Sequence, residues 1–570
     1  MRFVTLTPGA RFVRGPRRSA LYDLTRKRLY PLDEWTTGLL AGSLEGQPLE
    51  KVLDRMGVRG AKPRRLVSEA LAAHPLLIIS PQPQAQPPPS PPQGPSTVAA
   101  PSAGVSRSGP VPLQLNSSGR LPMFEPGRLA RQPIPGGPSP GESAPISRPR
   151  RELRFLWLEL TERCNLRCVH CYAGSGPGLK DGPMRFEDHR RILREAAEAG
   201  CRRVQFTGGE ALLDPDLPAL VDEARALGFE WQEVYSNGTL LNEERVHFLR
   251  DRQVRVAVSF YSNLEGVHER ITQVPGSFRR TVEGIRALVR AGVPVRAGLI
   301  RMRHNQDDTQ GAIDLLVSLG VPRDRITVDD VRPTGRGCGD TMAPAEGRPL
   351  MTAPPGGTDI QVEEGEVLGC RTCWSGKITV SPSGDVYPCI FSRELPVGNV
   401  LHGSLGPVLA GESLQDLWSI DKAQIPVCRD CEFRYGCFDC RALAFKQTGE
   451  LRSKPPECTY DPYSGVWGQA AGAAAPVLPE IISIPARGSG LEWATSGDLG
   501  LLYSRGRQLL VAVNRAAAEV VRLCDGRRSL DRIASLLARR YRAPREQIAR
   551  DVLSLARDLA GLGLVELRAA

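Results

Sequence analysis

The sequence has no long hydrophobic run and no apparent targeting segment. None of its apolar stretches reaches the 18 residues that a membrane-spanning helix requires. The basic N-terminus, MRFVTLTPGARFVRGPRRS, is not followed by the apolar core of a secretory signal. We therefore expect no membrane partner, and we expect the protein to remain in the cytoplasm.

Bulky apolar residues are also scarce between 81 and 150, a stretch that holds 19 of the 49 prolines. The tract PQPQAQPPPSPPQGPS cannot bury enough apolar surface to fold, which predicts a disordered, extended linker over 81–150. This linker separates a small domain at 1–80 from the rest of the chain. A shorter Ala/Gly/Pro stretch at 469–479 indicates a second joint, before a domain at 480–570.

The cysteines lack the setting of a disulfide framework, which belongs to small secreted domains. Eleven of the fourteen fall into two dense groups, at 164–171 and 370–458, with short spacings. Scattered buried thiols would not cluster in this way, so both groups are predicted to bind metal. Cys201, Cys338 and Cys524 lie outside the groups and are interpreted as ordinary packing or loop thiols.

Apolar strands alternate with helical stretches through the main body. A buried strand at 155–161 is followed by strands at 204–208, 230–238, 254–260 and 293–300, each after a helical stretch. This alternation predicts an α/β fold with a parallel sheet or partial barrel. In such folds ligands bind at the C-terminal ends of the strands.

The first cysteine group follows the first of these strands and reads Cys164-x3-Cys168-x2-Cys171. Three thiolates on one tight loop can hold three irons of a [4Fe–4S] cluster and leave the fourth iron open. A zinc site is the alternative, because His170 could supply a fourth ligand.

This loop resembles the CxxxCxΦC signature of radical S-adenosylmethionine (SAM) enzymes, with His170 as the ring-bearing Φ residue. The resemblance implies a partial (β/α)6 barrel at 151–335, in which SAM chelates the open iron and is cleaved reductively to a 5′-deoxyadenosyl radical. It also implies SAM contacts at the following strand ends and in two later stretches. These cofactor-binding residues are Gly208, Gly209, Glu210, Ser236, Asn237, Ser259, Arg270 and Asn305, beside His170.

The second cysteine group has eight members, the number that two [4Fe–4S] clusters require. The spacing of these cysteines is Cys370-x2-Cys373-x15-Cys389, then Cys428-x2-Cys431-x5-Cys437-x2-Cys440-x17-Cys458. This spacing resembles the SPASM domain of radical SAM maturases, here at 336–468. The resemblance implies one auxiliary cluster on Cys370, Cys373, Cys389 and Cys440, and another on Cys428, Cys431, Cys437 and Cys458. Two residues rather than the usual three separate Cys437 from Cys440, and structural zinc in place of one cluster is the alternative.

The chain ends in a hairpin about 504–507, a helix capped by Asn514 and two further amphipathic helices. This small winged-helix pattern resembles the PqqD-like domain, which recognises precursor peptides by adding a strand to its sheet. The domain at 1–80 is interpreted as a second, degenerate copy. Residues 480–570 carry 15 arginines against 10 acidic residues, which would favour an acidic leader peptide.

Together these features predict an enzyme that modifies a ribosomally made precursor peptide by hydrogen abstraction, giving a thioether, another crosslink or an oxidation. We expect three [4Fe–4S] clusters, SAM, and a flavodoxin- or ferredoxin-type reductant. One alternative is an anaerobic sulfatase-maturing enzyme, although those carry an acidic residue where Ile390 stands. The other is a redox-sensing winged-helix DNA-binding protein, suggested by the net charge of +11, but no helix concentrates a basic face and nucleic acid is not expected.

Overall fold

The computed structural model describes residues 2–82, 152–339, 342–345, 358–359, 371–437, 439–467, 483–488, 490–507 and 509–568. All of them belong to one compact unit. The predicted linker beyond Gln82, the joint at 469–479 and Cys370 lie outside the described residues. No helix in the described ranges is long and apolar enough to cross a membrane.

The N-terminal domain consists of a strand pair, a three-stranded sheet and three helices. Its strands are β1 (Phe3–Leu6), β2 (Ala10–Arg14), β3 (Ser19–Asp23), β4 (Arg28–Leu32) and β5 (Leu77–Ser80). Its helices are α1 (Glu34–Leu44), α2 (Leu49–Arg55) and α3 (Ala61–Ala73). β1 pairs with β5, and β2, β3 and β4 form an antiparallel sheet. α1 begins after β4 because the Asp33 carboxylate accepts a hydrogen bond from the backbone N–H of Thr36 at 2.6 Å.

The central domain is the predicted partial barrel of six parallel strands. They are β6 (Phe155–Glu159), β7 (Arg203–Thr207), β8 (Trp231–Ser236), β9 (Arg255–Phe260), β10 (Val295–Arg301) and β11 (Ile326–Asp330). They are hydrogen-bonded side by side in chain order. The connecting helices are α4 (Phe186–Glu198), α5 (Leu217–Ala226), α6 (Glu243–Asp251), α7 (Glu265–Thr272), α8 (Ser277–Arg290) and α9 (Thr309–Ser318).

Alternate residues of these strands serve different layers. Leu156, Val204 and Val256 are fully buried in the core that the helices cover. On the other face Phe155, Trp157 and Trp231 form an aromatic cluster, and the buried Glu233 forms a bidentate pair with Arg296 at 2.7 and 2.9 Å. The inner face of the sheet therefore combines aromatic rings with hydrogen-bonded charges, while the outer face is apolar.

The cysteine-rich domain continues this sheet, which the sequence did not predict. Its strands are β12 (Thr358–Asp359), β13 (Lys377–Val380), β14 (Asp385–Tyr387), β15 (Gly398–Asn399), β16 (Tyr460–Asp461) and β17 (Val466–Trp467), and its helices are α10 (Leu405–Ala410), α11 (Glu412–Ser419) and α12 (Arg441–Thr448). β13 runs parallel to β6, and β14 and β15 follow antiparallel, giving nine strands. β12 instead pairs with β4 of the N-terminal domain.

The C-terminal domain repeats the element order of the N-terminal domain. Its strands are β18 (Ile484–Arg487), β19 (Leu491–Ser496), β20 (Leu499–Ser504), β21 (Leu509–Asn514) and β22 (Val565–Arg568), and its helices are α13 (Arg515–Leu523), α14 (Leu530–Tyr541) and α15 (Arg545–Gly561). Again the first strand pairs with the last, and the middle three form an antiparallel sheet. Asn514 caps α13, as predicted, by accepting from the backbone N–H of Ala517.

Short turns of 3₁₀ helix complete the described elements. They are Ala211–Leu213, Gln306–Asp308, Arg323–Arg325, Gly335–Gly337, Lys422–Gln424 and Cys428–Asp430.

The N-terminal domain lies between the cysteine-rich and C-terminal domains. On one side the Tyr22 hydroxyl donates to the Glu432 carbonyl at 2.8 Å, and Val13 packs in a cluster with Phe433. On the other side α3 packs on the C-terminal sheet, where Leu66 and Tyr503 share a core. All five strand residues of β3 are buried because both faces of its sheet are covered.

Candidate functional site

The first cysteine loop lies at the C-terminal end of β6. Cys164 is buried, and Cys168 and Cys171 are half-buried. The loop is fixed from below by the end of α7, since the backbone N–H of Arg167 donates to Thr272 at 3.0 Å and that of Val169 donates to Ile271 at 2.9 Å. The three thiols are therefore held on one ordered loop at the strand ends.

The three thiols lie close enough to influence one another. Burial, and then the neighbouring charges, raise the pKa of Cys164 and of Cys168 to about 12. The Tyr261 hydroxyl lies 3.9 Å from the Cys168 sulfur, and the Asn237 amide nitrogen lies 3.8 Å from the Cys164 sulfur. Buried soft thiols with nearby donors are a donor set that fits an iron–sulfur cluster, whose positive irons would hold them as thiolates.

Across the described ranges, no three His, Cys, Asp or Glu residues form a group that could hold a single metal ion. The fit of the cysteines to a cluster therefore rests on the chemistry and the grouping of their thiols.

The predicted TGGE segment packs directly against the cysteine loop. The backbone N–H of Gly209 donates to the Thr161 carbonyl at 2.7 Å, and that of Glu210 donates to the Arg163 carbonyl at 2.9 Å. A side chain at Gly209 would collide with the Arg163 carbonyl, and Gly208 has φ +138°. The paired glycines are explained by this close approach.

The Glu210 carboxylate is buried beneath the same loop. It accepts hydrogen bonds from the backbone N–H groups of Asn237, at 2.7 Å, and Leu212, at 3.1 Å. Burial raises its pKa. Glu210 therefore joins the ends of β7 and β8.

Two further predicted residues, Ser236 and Asn237, lie in the turn after β8, beside the cysteine loop. Asn237 donates to the Asn165 side chain at 2.9 Å, and Asn165 donates to Thr239 at 2.7 Å. The Ser236 hydroxyl accepts from the backbone N–H of Gly238 at 3.0 Å. The SNG segment is thus a turn built around the loop, beside the Cys164 sulfur.

Ser259 and His170 both lie beside Tyr261. Ser259 interacts with the hydroxyls of Tyr235 and Tyr261. The His170 ring packs edge-on against the Tyr261 ring at 5.0 Å. Burial, and then the Arg336 charge, lower the pKa of His170 to about 4, so its imidazole is neutral at neutral pH.

Asn305 and Arg270 are placed differently. The buried Asn305 amide donates to the carbonyls of Tyr261, at 2.7 Å, and Ile300, at 3.0 Å, so it joins two strand ends. Arg270 is exposed on α7, and its guanidinium lies over Gly266 of the same helix. The structure uses Asn305 to hold its loop, and the SAM roles of both residues stay predictions.

Arg336 is a residue that the sequence analysis missed. Its guanidinium donates to the carbonyls of Cys168, Gly174 and Ser175 at 2.9, 2.6 and 2.8 Å. Its own backbone N–H donates to the Cys171 carbonyl at 3.0 Å. Arg336 therefore clamps the cysteine loop from the segment after β11. The sequence signal that could have identified Arg336 is the pair of glycines that flank it in TGRGCG, because Gly335 and Gly337 lie against the loop backbone.

A second missed group links the cysteine loop to the cysteine-rich domain. The buried Glu159 carboxylate, at the end of β6, pairs with the Arg393 guanidinium and accepts from the Tyr172 hydroxyl at 3.1 Å. Arg393 also lies over the rings of Tyr172 and Tyr387. Tyr172 follows Cys171 and Arg393 follows Cys389, so this pair connects the two cysteine-bearing segments.

The described cysteines of the second group separate into two sets. Cys373, Cys389 and Cys440 influence one another's pKa, and burial raises the pKa of each. They lie together in the set that the sequence analysis assigned to one auxiliary cluster. The fourth predicted member, Cys370, is outside the described residues.

Cys428, Cys431, Cys437 and Cys458 line one small cavity, which matches the second predicted set. Burial raises the pKa of Cys428 to about 12 and that of Cys437 to about 11. Lys422 donates to the Cys437 carbonyl and also lines this cavity. Four thiols lining one cavity are the number of ligands that a fully ligated cluster requires.

Asp439 lies between the two sets. Its charge raises the pKa of Cys373 and of Cys428, one from each set, and it pairs with the buried Arg441 at 2.8 Å. In the sequence Asp439 is simply one of the two residues between Cys437 and Cys440. The pair places a compensated charge between the two thiol groups.

Three thiols on one loop, at the strand ends of a partial α/β barrel, would hold an iron–sulfur cluster, and this arrangement defines a class of enzyme that works through such a cluster. Three family profiles match the chain: "Radical SAM superfamily" at 158–326, "Iron-sulfur cluster-binding domain" (SPASM) at 370–432, and "Coenzyme PQQ synthesis protein D (PqqD)" at 501–565. The chain belongs to the radical SAM superfamily. It is accordingly an enzyme that uses SAM and a [4Fe–4S] cluster, with a SPASM domain for auxiliary clusters.

Similar proteins include a "PqqA peptide cyclase" from Streptomyces rochei, 30% identical over 54% of this chain and 90% of the relative. An "AdoMet-dependent heme synthase" from Methanosarcina barkeri is 27% identical over 54% of this chain and 97% of the relative. The crystal structure of SuiB from Streptococcus suis, bound to the precursor peptide SuiA, aligns with a TM-score of 0.43 at 13% identity, over 81% of this chain and all of that chain.

Proposed function

We propose that this enzyme modifies a ribosomally synthesised precursor peptide by hydrogen abstraction, giving a thioether, another crosslink or an oxidation. The observation that carries the proposal is a radical SAM core, a SPASM domain and a PqqD domain on one chain. The similarity to a PqqA peptide cyclase supports it. A peptide-recognition domain would bind the substrate of an enzyme that modifies peptides.

Cys164, Cys168 and Cys171 would hold the SAM-binding cluster. Bound there, SAM supplies a 5′-deoxyadenosyl radical when it is reduced. The backbone N–H groups of Gly209 and Glu210 are already donated to the loop, which leaves the carbonyl oxygens of the Gly208–Gly209 turn for the SAM ammonium group. Glu210 supports this turn from below.

The remaining SAM contacts are proposed at the other strand ends. Ser236, Asn237 and Ser259 would bind SAM beside the loop, with the neutral His170 ring at its edge. Arg270 and Asn305 are also proposed as SAM contacts, and the Asn305 amide in addition holds its own loop.

We propose one auxiliary cluster on Cys370, Cys373, Cys389 and Cys440, and another on Cys428, Cys431, Cys437 and Cys458. The mutual influence of the described thiols supports this partition. These clusters would accept or relay the electron that a substrate radical must lose when a new bond forms. The Glu159–Arg393 pair would keep the auxiliary segment in register with the cysteine loop and exclude water between them.

We further propose that the PqqD domain binds an acidic leader at a strand edge, and that a docked leader presents its core peptide to the barrel at a raised local concentration. The repeated element order supports the interpretation of 1–80 as a second copy of 480–570. Residues 151–335 and 336–468 would then be the radical and auxiliary-cluster domains. A flavodoxin- or ferredoxin-type protein would supply electrons in the cytoplasm.

The M. barkeri relative makes heme synthesis the second candidate, because its identity is similar to that of the peptide cyclase. The PqqD match favours a peptide. Anaerobic co-expression with the peptide encoded by a small neighbouring reading frame, followed by mass spectrometry, tests this. A defined mass change that is lost in Cys164→Ala supports the proposal. An unchanged peptide mass, with SAM cleavage intact, would contradict it.

A further inference from the structure

One face of the N-terminal sheet packs on the segments that carry the second set of thiols. Three buried side chains of β2 and β3, Val13, Ala20 and Tyr22, form one cluster with aromatic residues of the cysteine-rich domain. Cys431 and Cys458 pack against the same cluster. They are two of the four thiols that line the cavity of the second set. The N-terminal domain therefore borders these thiols, although residues 1–80 contain no cysteine.

Aromatic rings fill the space between the two domains. The Tyr22 ring packs edge-on against the Tyr435 ring, with the centroids 6.1 Å apart. The Tyr460 ring lies 4.9 Å from the Phe433 ring and 4.7 Å from the Trp467 ring. An aromatic layer thus lies between the N-terminal sheet and this part of the cysteine-rich domain.

A hydrogen bond beside Cys431 fixes the position of this layer. The Tyr22 hydroxyl donates to the backbone carbonyl of Glu432, the residue after Cys431, at 2.8 Å. The fully buried Glu432 carboxylate accepts from the Tyr460 hydroxyl. Gly15, in the turn between β2 and β3, leaves room for that carboxylate, since an added Cβ would lie 2.5 Å from its oxygen. The N-terminal domain is therefore bonded and fitted to a segment that carries a thiol.

The turn between β2 and β3 makes a second connection, close to Cys458. The Arg18 guanidinium donates to the Gly465 carbonyl at 2.9 Å. Gly465 lies in the turn between β16 and β17, the strand pair that follows Cys458. The segments that bring Cys431 and Cys458 to the second set are therefore both held by the N-terminal domain.

The surroundings of an iron–sulfur cluster control its stability and potential, because an apolar shell limits the access of solvent. We propose that the N-terminal domain is the outer wall of the second auxiliary-cluster site and limits the access of water and small solutes to that cluster. This inference rests on the cluster proposed for the second thiol set. It gives the N-terminal copy a role that does not require it to bind a peptide.

The test measures how fast iron leaves the protein to the chelator bathophenanthroline disulfonate under argon. The full-length chain carries Cys164→Ala, Cys168→Ala and Cys171→Ala, so that only the auxiliary clusters, about eight irons, are loaded. Tyr22→Phe removes the hydroxyl and leaves a buried carbonyl unpaired. Tyr30→Phe, on the neighbouring β4 but packed in the core of the N-terminal domain itself, is the matched control.

We expect about four of these irons to leave at least about fivefold faster in Tyr22→Phe, and less than about twofold faster in Tyr30→Phe. Circular dichroism checks that both variants fold. Release at the unmodified rate in Tyr22→Phe overturns the inference.

Two larger substitutions separate the wall from the general stability of the domain. Ala20→Leu crowds the cluster that faces the cysteine-rich domain, whereas Ala10→Leu crowds the core of the N-terminal domain, and both alanines are fully buried. Overpacking destabilises in both cases, but only Ala20→Leu should speed the release of four irons, at least about tenfold. Equal release from the two variants would contradict the wall.

Hydrogen exchange gives a readout that needs no second cluster. If the cluster and the wall support each other, removing either one loosens the other. Cys428→Ala combined with Cys458→Ala should therefore raise the exchange rates of the β3 amides at least about threefold. The amides of β1, which pairs with β5, should change less than about twofold. Unchanged exchange in β3 would show that the two are not coupled and would overturn the inference.

The outcomes separate the wall from the proposed function. If iron release follows the prediction but no co-expressed precursor changes mass, the function is wrong and the wall stands. If a precursor is modified and iron release is the same in all variants, only the wall is wrong. If Cys428→Ala combined with Cys458→Ala loses no iron, the second cluster is absent and the wall is overturned.

Discussion

At the scale of single residues, Arg336 holds the cysteine loop through three backbone carbonyls. Hydrogen bonds from a charged group each contribute about 1.5–3 kcal/mol, and Arg336→Gln cannot span all three acceptors. We expect this variant to lose iron from the SAM-binding cluster and to form 5′-deoxyadenosine at least about tenfold more slowly. Iron analysis and an anaerobic deoxyadenosine assay measure both effects.

The control for this variant is Arg325→Gln, which removes an exposed arginine in the same part of the chain. It should retain wild-type iron and rate. If Arg336→Gln matched the wild type in both measurements, the clamp would have no functional role.

Gly209 is a second residue whose size is dictated by the loop. In Gly209→Ala the new methyl group would collide with the Arg163 carbonyl, so backbone must move. Overpacking of this kind costs about 1–3 kcal/mol. We expect a lower melting temperature and reduced SAM-cluster iron. Gly178→Ala, where nothing lies within 4 Å of the added carbon, should leave both unchanged. Equal behaviour of the two variants would contradict the packing argument.

At the scale of elements, α7 carries a buried histidine that makes stability depend on pH. Burial lowers the pKa of His268 to about 4, from an ordinary value of about 6.5. Between these values the unfolded chain binds a proton that the folded chain does not. The contribution of His268 to stability is therefore complete above pH 6.5 and falls as the pH drops toward 4.

The variant His268→Phe removes this titration and keeps a ring among Phe260, Tyr261 and Phe278. We expect the free energy of unfolding of the wild type to fall by about 2 kcal/mol more than that of the variant between pH 7 and pH 5. Denaturant unfolding at both pH values measures the difference. Parallel losses in the two proteins would show that His268 does not titrate in this range.

The N-terminal cap of α13 contributes to the stability of the C-terminal domain. Asn514→Ala removes the cap on the Ala517 N–H and should destabilise this domain by about 1 kcal/mol, whereas Asn514→Ser should restore most of the loss. Hydrogen exchange of the α13 amides reports the change locally. If Ser gave no rescue, the loss would arise from something other than the cap.

The sequence predicts the elements whose signals are local. The parallel strands and helices of the barrel follow from apolar periodicity, and the Asn514 cap follows from one side chain. The extension of the sheet by β13, the pairing of β18 with β22, and β5 were not predicted, because short strands are specified by partners distant in the chain. Local patterns carry no information about such partners.

The candidate site likewise combines residues that are close together in the sequence with residues that only the fold brings together. The cysteine loop was predicted because its ligands lie within eight residues. Arg336 and Arg393 meet the loop from about 165 and 220 residues further along the chain, so only the fold brings them there. Asp439 looks like a spacer in the sequence and becomes a charge between two thiol sets only in three dimensions.

At the scale of the whole molecule, the terminal domains are part of the same packed unit as the barrel and the cysteine-rich domain. Arg505 pairs with Glu69 at 2.7 Å, and Tyr22 donates to the Glu432 carbonyl, so the N-terminal domain connects the C-terminal sheet to the second cysteine set. A peptide docked at the terminal domains would therefore be held against the catalytic body rather than on a free arm.

The most direct test of the whole account is anaerobic. The purified protein is reconstituted with iron and sulfide, reduced and given SAM, and 5′-deoxyadenosine and iron are measured together. We predict about twelve irons per chain, and about eight with no deoxyadenosine in the combined Cys164→Ala, Cys168→Ala and Cys171→Ala variant. Bound zinc without deoxyadenosine in the wild type would contradict the central claim.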